Sequence, residues 1–192
     1  MSTEQLKLRK MILAALFAAI TAVFAQISIP MPLVPFTGQT LAIGLAATIL
    51  GARYGTLSIL LYLALGAAGV PVFAEMKSGV AILVGPTGGF LVGFIPTVFI
   101  IGFIIEKTKL SVKNALIANT IGMFITLAFG AVWLKIGAGL DWETAMKAGF
   151  YPFIPLGLLK AYLASIVGVN VRKRLVSANL FPIPSNKMDQ SA

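Results

Sequence analysis

The chain is 192 residues long, 58% hydrophobic and 11% charged, against about 25% charged in a soluble domain, so lipid must solvate much of its surface. Cysteine and histidine are both absent, which excludes disulfides, thiol chemistry, zinc sites of the usual ligand type and histidine acid–base catalysis. The net charge of +9 is no nucleic-acid signature, because its basic residues gather at the ends of apolar segments and form no stripe interleaved with aromatics.

A helix needs roughly 20 apolar residues to cross the hydrocarbon core, within a range of about 17–25. Residues 1–10 carry Lys7, Arg9 and Lys10 ahead of an apolar run that ends in small residues near Ala25, like a signal peptide. Five more apolar segments follow, so 11–27 is read as a retained first span. A Pro-rich loop at 28–37 (SIPMPLVPFT) leads to a short second span at 38–51 and a third at 54–70. The near-absent connection between them predicts a tight turn and an antiparallel hairpin. From Gly66 to Phe90 the chain reads GAAGVPVFAEMKSGVAILVGPTGGF. Glycine and proline at this density predict a structured re-entrant or capping loop with backbone groups left for a ligand, because irregular backbone at membrane depth persists only where it is buried or lines a cavity. Spans at 84–105, 113–136 and 150–171 complete a set of six. Residues 1–176 thus form one membrane domain, and the polar tail 177–192, with Pro182 and Pro184, is expected to be disordered. No internal repeat is visible.

Six spans put both termini on one side. That side collects Lys7, Arg9, Lys10, Arg53, Lys107, Lys109, Lys113, Arg172, Lys173, Arg174 and Lys187. The other carries Lys77, Lys135 and Lys147, balanced by Glu75, Asp141 and Glu143. The positive-inside rule makes the first side, and both termini, cytoplasmic. The loops at 28–37, 71–85 and 137–149 then face outward.

Lys160 is the one ionisable residue placed well inside a span. A charge at the bilayer centre costs about 2.5–3.5 kcal/mol even on the mildest scale, so such residues are usually functional. Its ammonium suits a ligand carboxylate; the alternative is a side chain that snorkels to the interface. Gly85-Pro86-Thr87-Gly88-Gly89 offers amide donors at a helix N-terminus, or serves only as a tight helix entry. No Gly-Lys-Ser/Thr follows, so it is not a nucleotide loop. Gln26 and Gln39 flank the Pro-rich loop, where each amide suits a urea or amide ligand or caps a helix end. Ala14, Ala18 and Ala22 recur every fourth residue, with Ala15 and Ala19 alongside, a spacing that lets another helix approach.

In order and spacing, QISIPMPLVPFTGQTLAI, LGARYGTLSILLYLALGAAGVPVFA, GPTGGFLVGF and FIPLGLLKAYLA resemble the BioY family. These are the biotin-specific substrate-binding (S) components of energy-coupling factor (ECF) transporters. The likeness covers about residues 11–171. It implies an all-α, six-helix S component in the cell membrane that takes biotin from outside. It further implies two kinds of partner, a transmembrane coupling subunit and a pair of cytoplasmic ATPases. With the residue reading, it implies a substrate site at Gln39, Phe73, Gly85, Thr87, Gly88, Phe90 and Lys160. A coupling-subunit contact at Ala14, Ala18 and Ala22 follows from the family's A-x-x-x-A pattern. There are two departures. Gly157 stands where many members have Asp three residues before the lysine, and Phe90-Leu91 where some have Tyr-Arg. The first leaves the ammonium less compensated and keeps dethiobiotin open as a related ligand.

The chain is therefore read as a transport subunit and not an enzyme, with no cofactor and no metal. It has no phosphate-binding loop, so ATP-driven uptake must borrow its motor. The competing reading is a self-sufficient carrier or facilitator for biotin, dethiobiotin or another small organic acid. The absence of intramembrane carboxylates from the assigned spans and of related halves counts against it.

Overall fold

The computed structural model describes residues 3–178 and Leu180. Seven α-helices follow in order: α1 Thr3–Gln26, α2 Gln39–Ala67, α3 Val80–Val84, α4 Gly88–Lys107, α5 Val112–Gly137, α6 Trp142–Gly149 and α7 Phe153–Ser177. Between α1 and α2 lies a two-stranded antiparallel ribbon, β1 Ser28–Ile29 with β2 Phe36–Thr37, and a 3-10 turn at Ala74–Met76 precedes α3. Among the described residues five helices are long and apolar enough to cross a membrane: α1 from Glu4, α2, α4, α5 and α7. The chain is thus an all-α membrane protein apart from its short ribbon.

The second and third spans expected from sequence fall within one assigned helix, α2, but that helix is broken. Gly51 has φ 81° and ψ −173°, a left-handed φ that glycine adopts without the Cβ clash. The two arms fold back on each other. Gln39 Nε2 donates to the Tyr62 hydroxyl, although 23 residues of straight helix would set them ~35 Å apart. A Cβ added to Gly55 would lie 3.3 Å from Ala47 Cα. The hairpin expected from the sequence is present, with its turn at a single glycine.

That hinge is locked from outside. Glu106 Oε1 accepts the Ala52 N–H at 3.0 Å, and Gly102 brings α4 so close that a Cβ there would meet Ala52 N at 2.2 Å. Arg172, near the end of α7, donates to Thr48 O at 3.0 Å. A Cβ on Gly51 would lie 2.0 Å from Glu106 Oε1. Gly51→Val therefore adds backbone strain of about 1–3 kcal/mol and displaces the carboxylate that caps the second arm. Thermal unfolding in detergent should show a clearly lower midpoint for Gly51→Val than for Gly69→Ala, which has φ 101° but open space around it. Equal midpoints would mean that the lock contributes nothing.

The helix boundaries differ from the sequence reading, most of all at the two ends of the chain. The first helix begins at Thr3 rather than 11, because the polar residues 4–10 are good helix formers outside the apolar run. The last continues past 171 to Ser177. The outer loop at 137–149 contains α6. Its N-cap Asp141 accepts the Thr144 N–H at 2.9 Å and the Thr144 hydroxyl at 2.6 Å, and the hydroxyl bond above all holds the Asp141 carboxyl below the usual carboxylate range. Of the tail expected to be disordered, all but Ser177, Ala178 and Leu180 lies outside the described residues.

Candidate functional site

The C-terminal ends of α1, of the second arm of α2 and of α5 share one end of the bundle with the starts of α4 and α7. The opposite end carries the α1 N-terminus, the Gly51 hinge and the lysines and arginines around 107–113 and 172–174. At the first end lies a cavity of about 340 Å³, roofed by Met31–Pro35 and by Phe73–Glu75 with Lys77. Its floor is Thr40, Leu91, Phe94, Thr126, Leu127, Phe153 and Lys160. The volume falls within the range of about 300–1,000 Å³ usual for small-molecule sites.

A hydrogen-bond relay fixes the wall nearest α2. The Thr37 hydroxyl donates to Gln39 Oε1 at 2.7 Å, Gln39 Nε2 donates to the Tyr62 hydroxyl, and that hydroxyl donates to Val72 O at 3.1 Å. One buried glutamine thus ties the Pro-rich loop to the Gly-rich one. Lys160 Nζ reaches across from α7 to donate to Thr37 O at 2.5 Å. Its ammonium has further hydrogens to offer a ligand. Glu75 and Lys77 also line the cavity but pair with each other at 2.6 Å, so the wall carries the uncompensated positive charge of Lys160. Phe153 sits between Phe36 and Phe90, with ring centroids 4.2 and 6.2 Å away, which gives the site a flat apolar face.

Of the expected site residues, Gln39, Phe73, Thr87, Phe90 and Lys160 line this cavity. Gly85 and Gly88 do not line it, and their backbone is committed elsewhere. The Gly88 N–H donates to Gly85 O at 2.9 Å and the Phe90 N–H to Thr87 O at 3.2 Å, while Gly85 O also accepts the Trp133 indole N–H at 3.0 Å. A Cβ on Gly88 would lie 1.9 Å from Leu83 O. These two glycines make the tight helix entry, not a donor nest. Gln26 is neither a cavity wall nor a simple cap. Its Nε2 donates to Phe73 O and its Oε1 accepts the Met76 N–H, both at 3.0 Å, so it grips the 3-10 turn in which Glu75 and Met76 hold positive φ of 60° and 57°.

The alanine stripe is corrected. Ala14 and Ala18 are only 1% and 2% exposed, packed into the interior of this chain, and Ala22 is half-buried. α1 instead turns Ala15 and Ala19 outward, beside the exposed Ile12, Leu16 and Val23. Residues four apart share a helix face, so the small-residue stripe open to a partner is Ala15–Ala19. The sequence reading also missed Thr40 and Phe153, in the first turns of α2 and α7, and Thr126 and Leu127, which lie mid-helix in an apolar segment that carries no positional signal.

A model of the BioY family matches residues 1–177. The biotin transporter BioY2 of Lactococcus lactis subsp. cremoris is 42% identical over 178 residues, 93% of this chain and 98% of that protein. The biotin transporter BioY of Thermotoga maritima is 42% identical over 166 residues, covering 86% of this chain and 97% of that one. The crystal structure of an S-component for biotin from an ECF-type ABC transporter superposes with a TM-score of 0.81 at 29% identity, over 90% of this chain and 95% of that chain. The chain has the S-component fold, is a multi-pass membrane protein, and belongs to the BioY family.

Proposed function

We propose that this chain captures biotin from the exterior and delivers it across the membrane as the substrate-specific subunit of an ATP-driven ECF-type importer. The observation that carries this reading is the cavity beneath the Pro-rich and Gly-rich loops, with the Lys160 ammonium in its wall. The cavity's apolar walls, with Phe153 and Phe90 among them, suit the fused rings and aliphatic tail of biotin, and its polar walls suit the ligand's hydrogen-bonding groups. The ammonium suits its carboxylate through a charge-assisted hydrogen bond. The BioY relatives described as biotin transporters support the same ligand.

In this reading the two arms of α2 cross separately, giving six crossings with both termini in the cytoplasm. The Gln39–Tyr62 bond and the basic residues at the end opposite the cavity support it. A transmembrane coupling subunit docks on the Ala15–Ala19 face of α1, where small residues admit a second helix, and an ATPase pair drives it. The test is uptake of labelled biotin into proteoliposomes. Uptake should require the coupling subunit, the ATPases and internal ATP together. Full-rate uptake by the chain alone would overturn the subunit reading in favour of a self-sufficient carrier.

A further inference from the structure

Below the ligand cavity lies a second, smaller chamber of about 50 Å³. It shares Thr40, Thr126, Leu127, Phe153 and Lys160 with the larger cavity and adds Thr97, Asn119, Met123 and Gly157. Nothing in the recognition of a carboxylate at Lys160 requires it. Its other walls, Phe36, Ile43, Ile101 and Ala161, are apolar, so Asn119 is one of the few polar groups it presents, and it is roomy enough for a water.

Asn119 shows what the chamber is fitted to accept. The residue is 4% exposed. Its Nδ2 lies 2.9 Å from Ala115 O, 3.2 Å from Ser165 Oγ and 3.1 Å from Thr48 Oγ1. Ser165 spends its own proton on Ala161 O at 2.6 Å, so it can only accept from Asn119. These acceptors fix the amide's orientation and leave Oδ1 on the other side. Among the described residues no donor reaches Oδ1. Gly44 keeps it uncovered, since a Cβ there would lie 2.5 Å from Oδ1. That same Cβ would meet Ala164 at 2.9 Å, so the oxygen sits level with Ala164, one helical turn or ~6 Å beyond Lys160.

We infer that this chamber is a second subsite, which takes a hydrogen-bond-donating terminal group, such as a primary carboxamide, on a ligand whose tail is longer than that of biotin. This rests on the biotin reading above. Biotin's carboxylate ends at Lys160, at the shared wall; a tail lengthened by two or three methylenes passes it and reaches Asn119. There Oδ1 faces the incoming group with a lone pair. A carboxylate, acceptor-only, meets it unfavourably, whereas an amide N–H satisfies it.

The test is equilibrium competition against labelled biotin on the purified chain with two probes. One is the biotin homologue acid with two extra methylenes, and the other is the primary amide of that acid. The unmutated chain should prefer the amide over the acid by about tenfold. Asn119→Leu should bring that preference to near unity. Should Asn119→Leu fail to fold, Gly157→Ala gives a second readout. Its Cβ would lie 2.5 Å from Met123 Sδ, driving the thioether into the chamber, so both homologues should weaken relative to biotin. Biotin binding with no amide preference, or a preference that survives Asn119→Leu, or homologues unaffected by Gly157→Ala, would overturn the subsite. Failure of the unmutated chain to bind biotin at all would overturn the ligand assignment, and the subsite with it.

Discussion

Lys160→Met should lower biotin affinity by about one to two decades, because a hydrogen bond to a charged group contributes roughly 1.5–3 kcal/mol. Methionine keeps much of the stem's apolar volume and removes the charge. The positive charge of Lys160 has no carboxylate against it in the cavity wall, Glu75 being paired with Lys77. An anionic ligand therefore completes the site electrostatically. Biotin amide, which lacks the carboxylate, should lose far less than biotin. Lys160 also donates to Thr37 O, so the mutation loosens β2, and that structural cost falls on both ligands alike. Equal losses for acid and amide would assign Lys160 to loop anchoring alone.

The second large effect separates binding from transport. Ala15 and Ala19 are exposed on α1, whereas Ala18 is buried against the interior of the same chain. Ala15→Trp with Ala19→Trp should abolish co-purification with a coupling subunit and ATPases, and with it ATP-driven uptake. Biotin binding to the isolated double variant should stay within about twofold of the unmutated chain, a difference well under 1.4 kcal/mol. Ala18→Trp should act in the reverse order. Overpacking a close-packed interior typically costs 1–3 kcal/mol or more, so thermal stability and binding fall before assembly is ever tested. Assembly of the double variant at full yield would remove the Ala15–Ala19 face as the docking surface.

These two cases mark where the sequence is legible. Lys160 stands out because a lone charge within an apolar run has few bland explanations. The phase of α1 does not, because residues 11–25 are apolar or small almost throughout, and an all-round apolar helix gives no moment to say which alanines face inward. That the chain is an all-α membrane protein of long apolar helices was readable from length and hydropathy, and the α2 hairpin from the shortness of its connection. Its single-residue hinge was not, since the groups that pack against it, Glu106 and Gly102, come from another helix distant in sequence. α6 escaped because eight residues are too few for a periodicity argument, although Asp141 before Thr144 was a readable cap. Gly85 and Gly88 illustrate a real ambiguity. A glycine that frees backbone for a ligand and one that admits a neighbouring backbone look the same in one sequence. Arg172, buried beside the hinge, was read only as one of the cytoplasmic charges.

The measurement that bears most directly on the account is equilibrium binding of labelled biotin to the detergent-purified chain, without ATP or partner subunits, with dethiobiotin and unrelated vitamins as competitors. The account predicts saturable one-site binding, displaced by excess unlabelled biotin and untouched by the unrelated vitamins. No binding of biotin to the folded chain, or tighter binding of a different vitamin, would contradict it.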